Sequence, residues 1–318
     1  MPFTHSIKDE ILRQPDFEKC CLNAFLAAIL RISGVITMAP DAVFRINSEN
    51  ALLSRKIYLI TKSNFGCSPH IISSKGKRLK KHNEYGVTIG KVSELRPIFE
   101  MAAISAGEAG SLIEYEPYFR SNSGKPCCRR AYLTGAFLAA GSMNEPEKAY
   151  HCEISTHSRQ LSSEISGIMN AYGLNSRVIL RKNSHVVYIK EAESISDFLR
   201  VIHAHKSLIE YENIRIVKDM RNNINRMVNC ETANISKTVS SSYRQVEDID
   251  FIFRNGGANS LSEGILKVAE ARISNPEASL KELGEMLDPR LSRSGVNHRL
   301  ARIAEEAEKL KKSIFTPK

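Results

Sequence analysis

An α+β fold is predicted, with two copies of an α-β-β-α-β-β unit followed by an all-α tail. Three observations predict it. The chain repeats itself at an offset of 107 residues. Strand-like and helix-like segments follow each repeated stretch in the same order, and from Ile195 onward the pattern is wholly helical.

The repeat opens each unit. Cys20–Gly34 aligns without a gap on Cys127–Gly141, so that the Cys pair, an Ala, an aromatic residue, a Leu and a closing Gly coincide. Phe65-Gly66 falls on Tyr172-Gly173 at the same 107, which reads as one register and a duplicated fold. Both stretches suit helices. Ala24, Ala27 and Ala28 in one copy, and Ala131, Gly135 and Ala139 in the other, would let two helix backbones approach closely across a pseudo-twofold axis. Gly34 and Gly141 suit the left-handed residue that ends a helix.

In the first copy, 42–46 reads as a strand, 49–64 as a helix, and 69–73 and 85–89 as strands flanking a turn. That turn, Lys75-Gly76-Lys77-Arg78-Leu79-Lys80-Lys81-His82, puts five Lys/Arg into eight residues with no acid. Lys75, Lys77, Arg78, Lys80 and Lys81 are either a secondary nucleic-acid surface or a solvated turn. In the second copy, 149–155 is the strand and 158–172 the helix. Strands 177–180 and 186–189 close a hairpin around Lys182-Asn183-Ser184. Segments 107–110 and 121–126 look like breaks and a connector.

Beyond the repeats, 196–204 reads as a short helix, with long helices over 208–227 and 232–253 joined by Asn229–Asn234. Arg254–Asn259, with two glycines, is a hinge. The expected domains are 1–125 and 126–205 for the two repeats, 206–255 for linker helices, and 256–318 for the tail.

The tail contains two capping-box patterns, Ser260-Leu261-Ser262-Glu263 and Ser279-Leu280-Lys281-Glu282. The second opens a helix with Leu280, Leu283 and Leu287 on one face. Gly284 gives that helix a small spot for a crossing neighbour, and Asp288-Pro289 breaks it. Ser292 then caps a third helix with Val296, Leu300 and Ile303 at i, i+4 and i+7. Three short helices with this spacing describe a helix-turn-helix, although 288–291 makes the turn longer than three or four residues. The face opposite the apolar stripe holds Ser294, His298 and Arg302, with Asn297 on its flank. Segment 289–302 carries Arg290, Arg293, Arg299 and Arg302 without an acid. Arg and Asn side chains match base edges in the major groove, and other cations and a helix N-terminus match phosphates. The candidate DNA-contacting residues are therefore Ser279, Lys281, Arg290, Ser292, Arg293, Ser294, Asn297, His298, Arg299 and Arg302.

Composition narrows the function. The 318 residues are 42% hydrophobic and 25% charged, as in ordinary globular proteins. A net charge of +10 and a pI near 9.2 favour a polyanionic partner. No apolar run approaches a membrane span, and residues 1–10 lack the regions of a signal peptide, so a cytoplasmic, nucleoid-associated protein is expected. Seven cysteines, with no Cys-x-x-Cys and no His at zinc-finger intervals, suit a reducing compartment. The vicinal pairs Cys20-Cys21 and Cys127-Cys128 read as small buried residues inherited with the repeat. No metal, cofactor, small-molecule substrate or membrane partner is expected.

Leu26–Gly34 and Leu133–Gly141 resemble the LAGLIDADG motif of homing endonucleases. The resemblance implies paired helices under sheets that form a concave, pseudo-twofold saddle over DNA. In active nucleases of that family a carboxylate precedes the closing Gly and helps hold the divalent ions that cut DNA. Here those positions are Ser33 and Ala140, and neither 20–34 nor 127–141 contains an Asp or Glu. No catalytic residue is therefore expected.

With Tyr132–Ser142, Asn229–Asn234, Lys281-Glu282-Leu283-Gly284 and Ser294–Arg299, the chain resembles the WhiA family of Gram-positive bacteria. That resemblance implies a non-enzymatic regulator that binds double-stranded DNA, with roles in sporulation or in cell division and chromosome segregation. It leaves room for transcription or cell-division proteins as partners. The competing readings are a divergent endonuclease or maturase using acids such as Asp41 or Glu145, and a protein-interaction platform with accessory DNA binding.

Overall fold

A computed structural model describes residues 3–15, 17–37, 42–75, 83–106, 113–119 and 124–315. The chain divides into two compact units, Met1–Lys218 and Asp219–Lys318.

The first unit begins with α1 (Phe3–Leu12), which buries Phe3, Ile7 and Ile11. The first repeat follows as α2 (Lys19–Ser33), β1 (Gly34–Thr37), β2 (Val43–Ser48), α3 (Ala51–Phe65), β3 (His70–Lys75) and β4 (Asn83–Lys91). A short helix α4 (Arg96–Ala102) and a small hairpin, β5 (Ile104–Ala106) and β6 (Ile113–Tyr115), lead to the second repeat. That repeat runs α5 (Pro126–Ala140), β7 (Gly141–Met143), β8 (Cys152–Thr156), α6 (Arg159–Ala171), β9 (Arg177–Arg181) and β10 (Ser184–Ile189), and α7 (Ala192–Val201) succeeds it. The α-β-β-α-β-β order is present twice. Both sheets have the same antiparallel order, β1-β2-β4-β3 and β7-β8-β10-β9. This is the LAGLIDADG-like α+β architecture expected from the sequence.

The single register is not continuous. Gly34 pairs with Ile46 and Gly141 with Ile154, so the second β–β connection is one residue longer. The following helices keep that slip: the N-caps are Asn50 and Ser158, and Leu53, Ser54 and Ile57 correspond to Leu161, Ser162 and Ile165. The original offset returns at Gly66 and Gly173, which are both left-handed (φ 65° and 74°). Connections between strands tolerate such one-residue changes better than the elements they join.

Helices α2 and α5 pack against each other at the centre of the unit. Their small residues decide how closely. A Cβ on Gly135 would collide with the Phe25 carbonyl oxygen and come within 3.1 Å of the Ala28 Cβ, so the α5 backbone rests directly on α2. Gly34 and Gly141 do not end their helices in the left-handed conformation. Both are extended (φ −74° and −79°). Their smallness is needed for another reason: a side chain on Gly34 would strike the Leu30 carbonyl and the Phe44 ring, and one on Gly141 the Phe137 ring and carbonyl.

One buried ion pair links the copies. Arg31 of α2 lies 3.0 Å from Glu164 of α6 and donates to the Glu116 carbonyl at 2.7 Å, beneath the rings of Tyr115, Tyr118 and Tyr132. Glu164 also accepts from the backbone N–H of Tyr118 at 2.8 Å.

The long helices expected over 208–227 and 232–253 are one helix, α8 (His205–Arg254). Asn229–Asn234 does not interrupt it: none of these residues is a Gly or Pro, and the weaker helix formers among them each cost well under about 1 kcal/mol. The second unit contains the later part of α8, then α9 (Glu263–Ser274), α10 (Leu280–Met286) and α11 (Arg293–Phe315). Its core joins Ile249 and Ile252 of α8 to Val268, Ala269, Leu283, Val296, Leu300, Ile303 and Ala307. The helix-turn-helix core thus draws on residues that precede 255.

Candidate nucleic-acid interface

The second unit builds its polar face from two short-range devices. At the start of α10 the capping box is complete. The Glu282 N–H donates to Ser279 Oγ at 3.3 Å, and the Ser279 N–H donates to Glu282 Oε2 at 2.7 Å. These bonds from Ser279 hold the Glu282 carboxyl below its ordinary pKa. The capping box expected at Ser260 does not form. The Ser260 hydroxyl donates to the Gly257 carbonyl at 2.6 Å inside a 3-10 turn (Gly257–Ser260), which moves the N-cap of α9 to Ser262.

The turn between α10 and α11 is tied down at Gly284. Its carbonyl accepts from the Leu291 N–H at 2.9 Å, and its missing side chain makes room for the Leu291 carbonyl, with Val296 3.3 Å from where a Cβ would lie. Ser292 then caps α11, accepting from the Gly295 N–H at 3.2 Å. Val296, Leu300 and Ile303 are buried as their spacing requires. The same periodicity leaves Arg293, Ser294, Asn297, His298 and Arg302 exposed, together with Arg290 and Ser292 in the turn. Arg299 is half-buried, with its guanidinium close to Gly264 of α9.

Ser279, Lys281, Arg293 and Asn297 line one open cleft with Lys237, Thr238, Ser241 and Gln245 of α8. The sequence reading missed the α8 contribution, because it placed those residues in a linker. Behind the cleft, Arg272 is buried and donates to the Ala278 carbonyl at 2.7 Å, fixing the chain where it enters α10. Burial lowers the pKa of Arg272. Oε1 of Gln245 is buried without a hydrogen-bond partner.

In the first unit, Ser33 and Ala140 end their helices, half-buried, where the resemblance places metal-holding acids. Among the described residues, no group of three or more Asp, Glu or His side chains gathers there or elsewhere. Glu145 is ion-paired with Lys148, and Asp41 lies outside the described residues. Of the basic turn, Lys75 ends β3 opposite Asn83; Lys77, Arg78, Lys80 and Lys81 lie outside the described residues. The corresponding edge strand of the other sheet, β9, is exposed along its whole length, and its Arg181 pairs with Glu153 at 3.2 Å.

The vicinal cysteines are not uniformly buried. Cys21 is buried and Cys128 half-buried, whereas Cys20 and Cys127 are exposed. Burial raises the Cys128 thiol to about 11 and lifts Cys21 further; the hydrogen bond with Cys21 lowers Cys127.

Three family models match the chain: the WhiA N-terminal LAGLIDADG-like domain over 19–96, the WhiA LAGLIDADG-like domain over 129–221, and the WhiA C-terminal HTH domain over 224–307. "Probable cell division protein WhiA" of Clostridium botulinum (strain Hall) is 43% identical, across 99% of this chain and 100% of the relative. The chain belongs to the WhiA family. The relative of the same name from Ruminiclostridium cellulolyticum is 42% identical over 98% of this chain and 99% of its own. The crystal structure of full-length DUF199/WhiA from Thermatoga maritima shares the fold, with a TM-score of 0.58 and 24% identity over 97% of this chain and 99% of that one. This WhiA family member therefore combines a LAGLIDADG-like scaffold with a helix-turn-helix unit. No helix among its described residues is long and apolar enough to cross a membrane.

Proposed function

We propose that the protein is a non-enzymatic regulator that binds double-stranded DNA through α11 and the cleft beside it. The observation that carries this reading is the division of α11 into a buried apolar stripe and an exposed face of Arg293, Ser294, Asn297, His298 and Arg302. Amphipathic spacing alone would yield a solvated surface helix. Here the exposed side chains include cations and amides suited to purine edges, and no acid lies within 289–302 to oppose phosphate. Ser279, Lys281, Arg290, Ser292 and Arg299 complete the contact set around the helix N-terminus. The cleft adds Lys237 of α8.

The repeats, 1–125 and 126–205, serve as scaffold. Lys75, Lys77, Arg78, Lys80 and Lys81 supply a second DNA surface, supported by their charge density. The absence of a carboxylate at Ser33 and Ala140, where the helices end, supports a protein that holds DNA without cutting it. Regulation of cell division, with chromosome segregation or sporulation as its context, follows from the family, and the protein would act in the cytoplasm at the nucleoid. Transcription or division proteins would be its further partners.

A fluorescence-anisotropy titration against genomic duplex fragments at fixed salt tests the reading. The wild type should bind, and R293A and R302A should each weaken binding by about 1–3 kcal/mol. Equal affinity of all three proteins, or magnesium-dependent cleavage of the duplex, would overturn it.

A further inference from the structure

The repeat duplicates a cysteine pair, and the fold brings the two pairs together. The Sγ atoms of Cys20, Cys21, Cys127 and Cys128 all lie within 4.8 Å of one another. The Cys20 and Cys21 sulfurs are 3.9 Å apart, and the cross-helix neighbours fall inside the same 4.8 Å limit. No spacing rule finds this site, because its halves are separated by a whole repeat and meet only when α2 and α5 pair.

We propose that these four thiolates bind a single Zn²⁺ ion, clamping the N-terminal ends of the two central helices together. The geometry is close to what such an ion needs. With Zn–S bonds of about 2.3 Å, a tetrahedron has sulfur–sulfur edges of about 3.8 Å, so small side-chain adjustments would seat the ion. Four sulfurs packed this closely suit one ion; a two-iron cluster, dividing its thiolates between two metals, would hold the pairs further apart. All-sulfur ligation selects a soft or borderline cation over Mg²⁺ or Ca²⁺, which take oxygen ligands.

Cys20 and Cys127 are the second residues of α2 and α5, and Cys21 and Cys128 the third. Neither N-cap, Glu18 or Lys125, makes a side-chain capping bond, and the positive ends of both helix dipoles lie beside the four thiols. On binding, four thiols release their protons and four thiolates enclose the dication. A purely structural role accounts for Cys21, but not for two exposed thiols at matching positions. A disulfide within either pair is disfavoured: adjacent Cα atoms lie about 3.8 Å apart, below the roughly 4.4 Å minimum of ordinary disulfides. The site lies about 20 Å along the helices from Ser33 and Ala140, at the opposite end from the lost acids.

The test uses the full chain purified under reducing conditions. Elemental analysis should give about one zinc per chain. Co²⁺ replacement should produce the visible bands and thiolate charge-transfer absorption of a tetrahedral tetrathiolate centre. C20S and C127S, which change exposed side chains, should lose the ion and the spectrum; C230S, at an exposed cysteine elsewhere, should keep both. Wild-type thiol labelling with mass-spectrometric mapping covers the case in which a variant misfolds: Zn²⁺ should protect Cys20 and Cys127 but not Cys230. Failure of the reduced wild type to take up zinc or cobalt, retention of the ion by C20S and C127S, or unchanged labelling of Cys20 and Cys127 would overturn the proposal. A cross-helix disulfide that persists under reductant would overturn it too.

Discussion

The α2–α5 pair and α11 are both helices from which a nucleic-acid-binding protein could contact its ligand, and they are built in opposite ways. In α2, every residue from Ala24 to Ile32 is buried, and α5 is buried from Ala131 to Leu138. Their side chains are committed to holding two halves together, and only the ends emerge. Helix α11 buries one stripe and leaves Arg293, Ser294, Asn297, His298 and Arg302 exposed. A helix buried on all sides can offer chemistry only at its termini, and here the termini carry Ser33 and Ala140. A half-buried helix keeps its contact surface whatever happens to its ends.

The contrast can be broken most forcefully at the ion pair between the copies. Glu164→Ala leaves the Arg31 guanidinium, fully inaccessible at its side chain, without its carboxylate. It should cost about 3–5 kcal/mol in chemical denaturation of the first unit. A loss below about 1 kcal/mol would mean that the centre tolerates charge as a surface does.

A second test shows only on the pH axis. Burial lowers the pKa of Lys8 from 10.5 to about 8, despite the opposing pull of Glu49. Between those values the unfolded chain carries a proton that the folded one lacks, so this residue makes stability rise with pH from about 8 to 10.5. Thiols and phenols raised by burial act in the opposite sense over the same range, so the measurable quantity is the difference between wild type and K8M. K8M should be more stable near neutral pH, with its advantage shrinking across that window. A pH-independent difference would place Lys8 in solvent.

On α11 the effects should spare stability and change binding. R293A and R302A should retain the wild-type melting temperature within experimental error while losing about 1–3 kcal/mol of duplex affinity each. A parallel fall in melting temperature would make these arginines part of the packing. The smallest effect is expected at the cap of α10, where Ser279→Ala should lower the stability of the second unit by about 1 kcal/mol. An unchanged midpoint would show that the capping box is redundant.

Much of this was legible before any coordinates. Small residues every three or four positions announced the close α2–α5 packing. The Val296, Leu300 and Ile303 stripe fixed which face of α11 is buried and which is free. Ser279 and Glu282 announced their own hydrogen bonds, since three residues span one helical turn. The failures share a cause. Ser260 has the same local pattern as Ser279, but a neighbouring 3-10 turn claims its hydroxyl. The break expected at Asn229–Asn234 had no Gly or Pro to enforce it, and α8 continues through. Gly34 and Gly141 looked like left-handed helix ends, yet their smallness accommodates nearby rings and carbonyls.

The sequence by itself determined the duplicated order of elements, the missing acids at Ser33 and Ala140, and the polar composition of α11, because periodicity and side-chain chemistry are carried by neighbouring residues. Only the tertiary structure decided that α8 lends Lys237 and Gln245 to the α11 cleft, that Arg31 meets Glu164, and that four cysteines from two repeats converge. Those contacts join residues far apart along the chain. Their geometry is set by how closely the helices can pack, which no local pattern encodes.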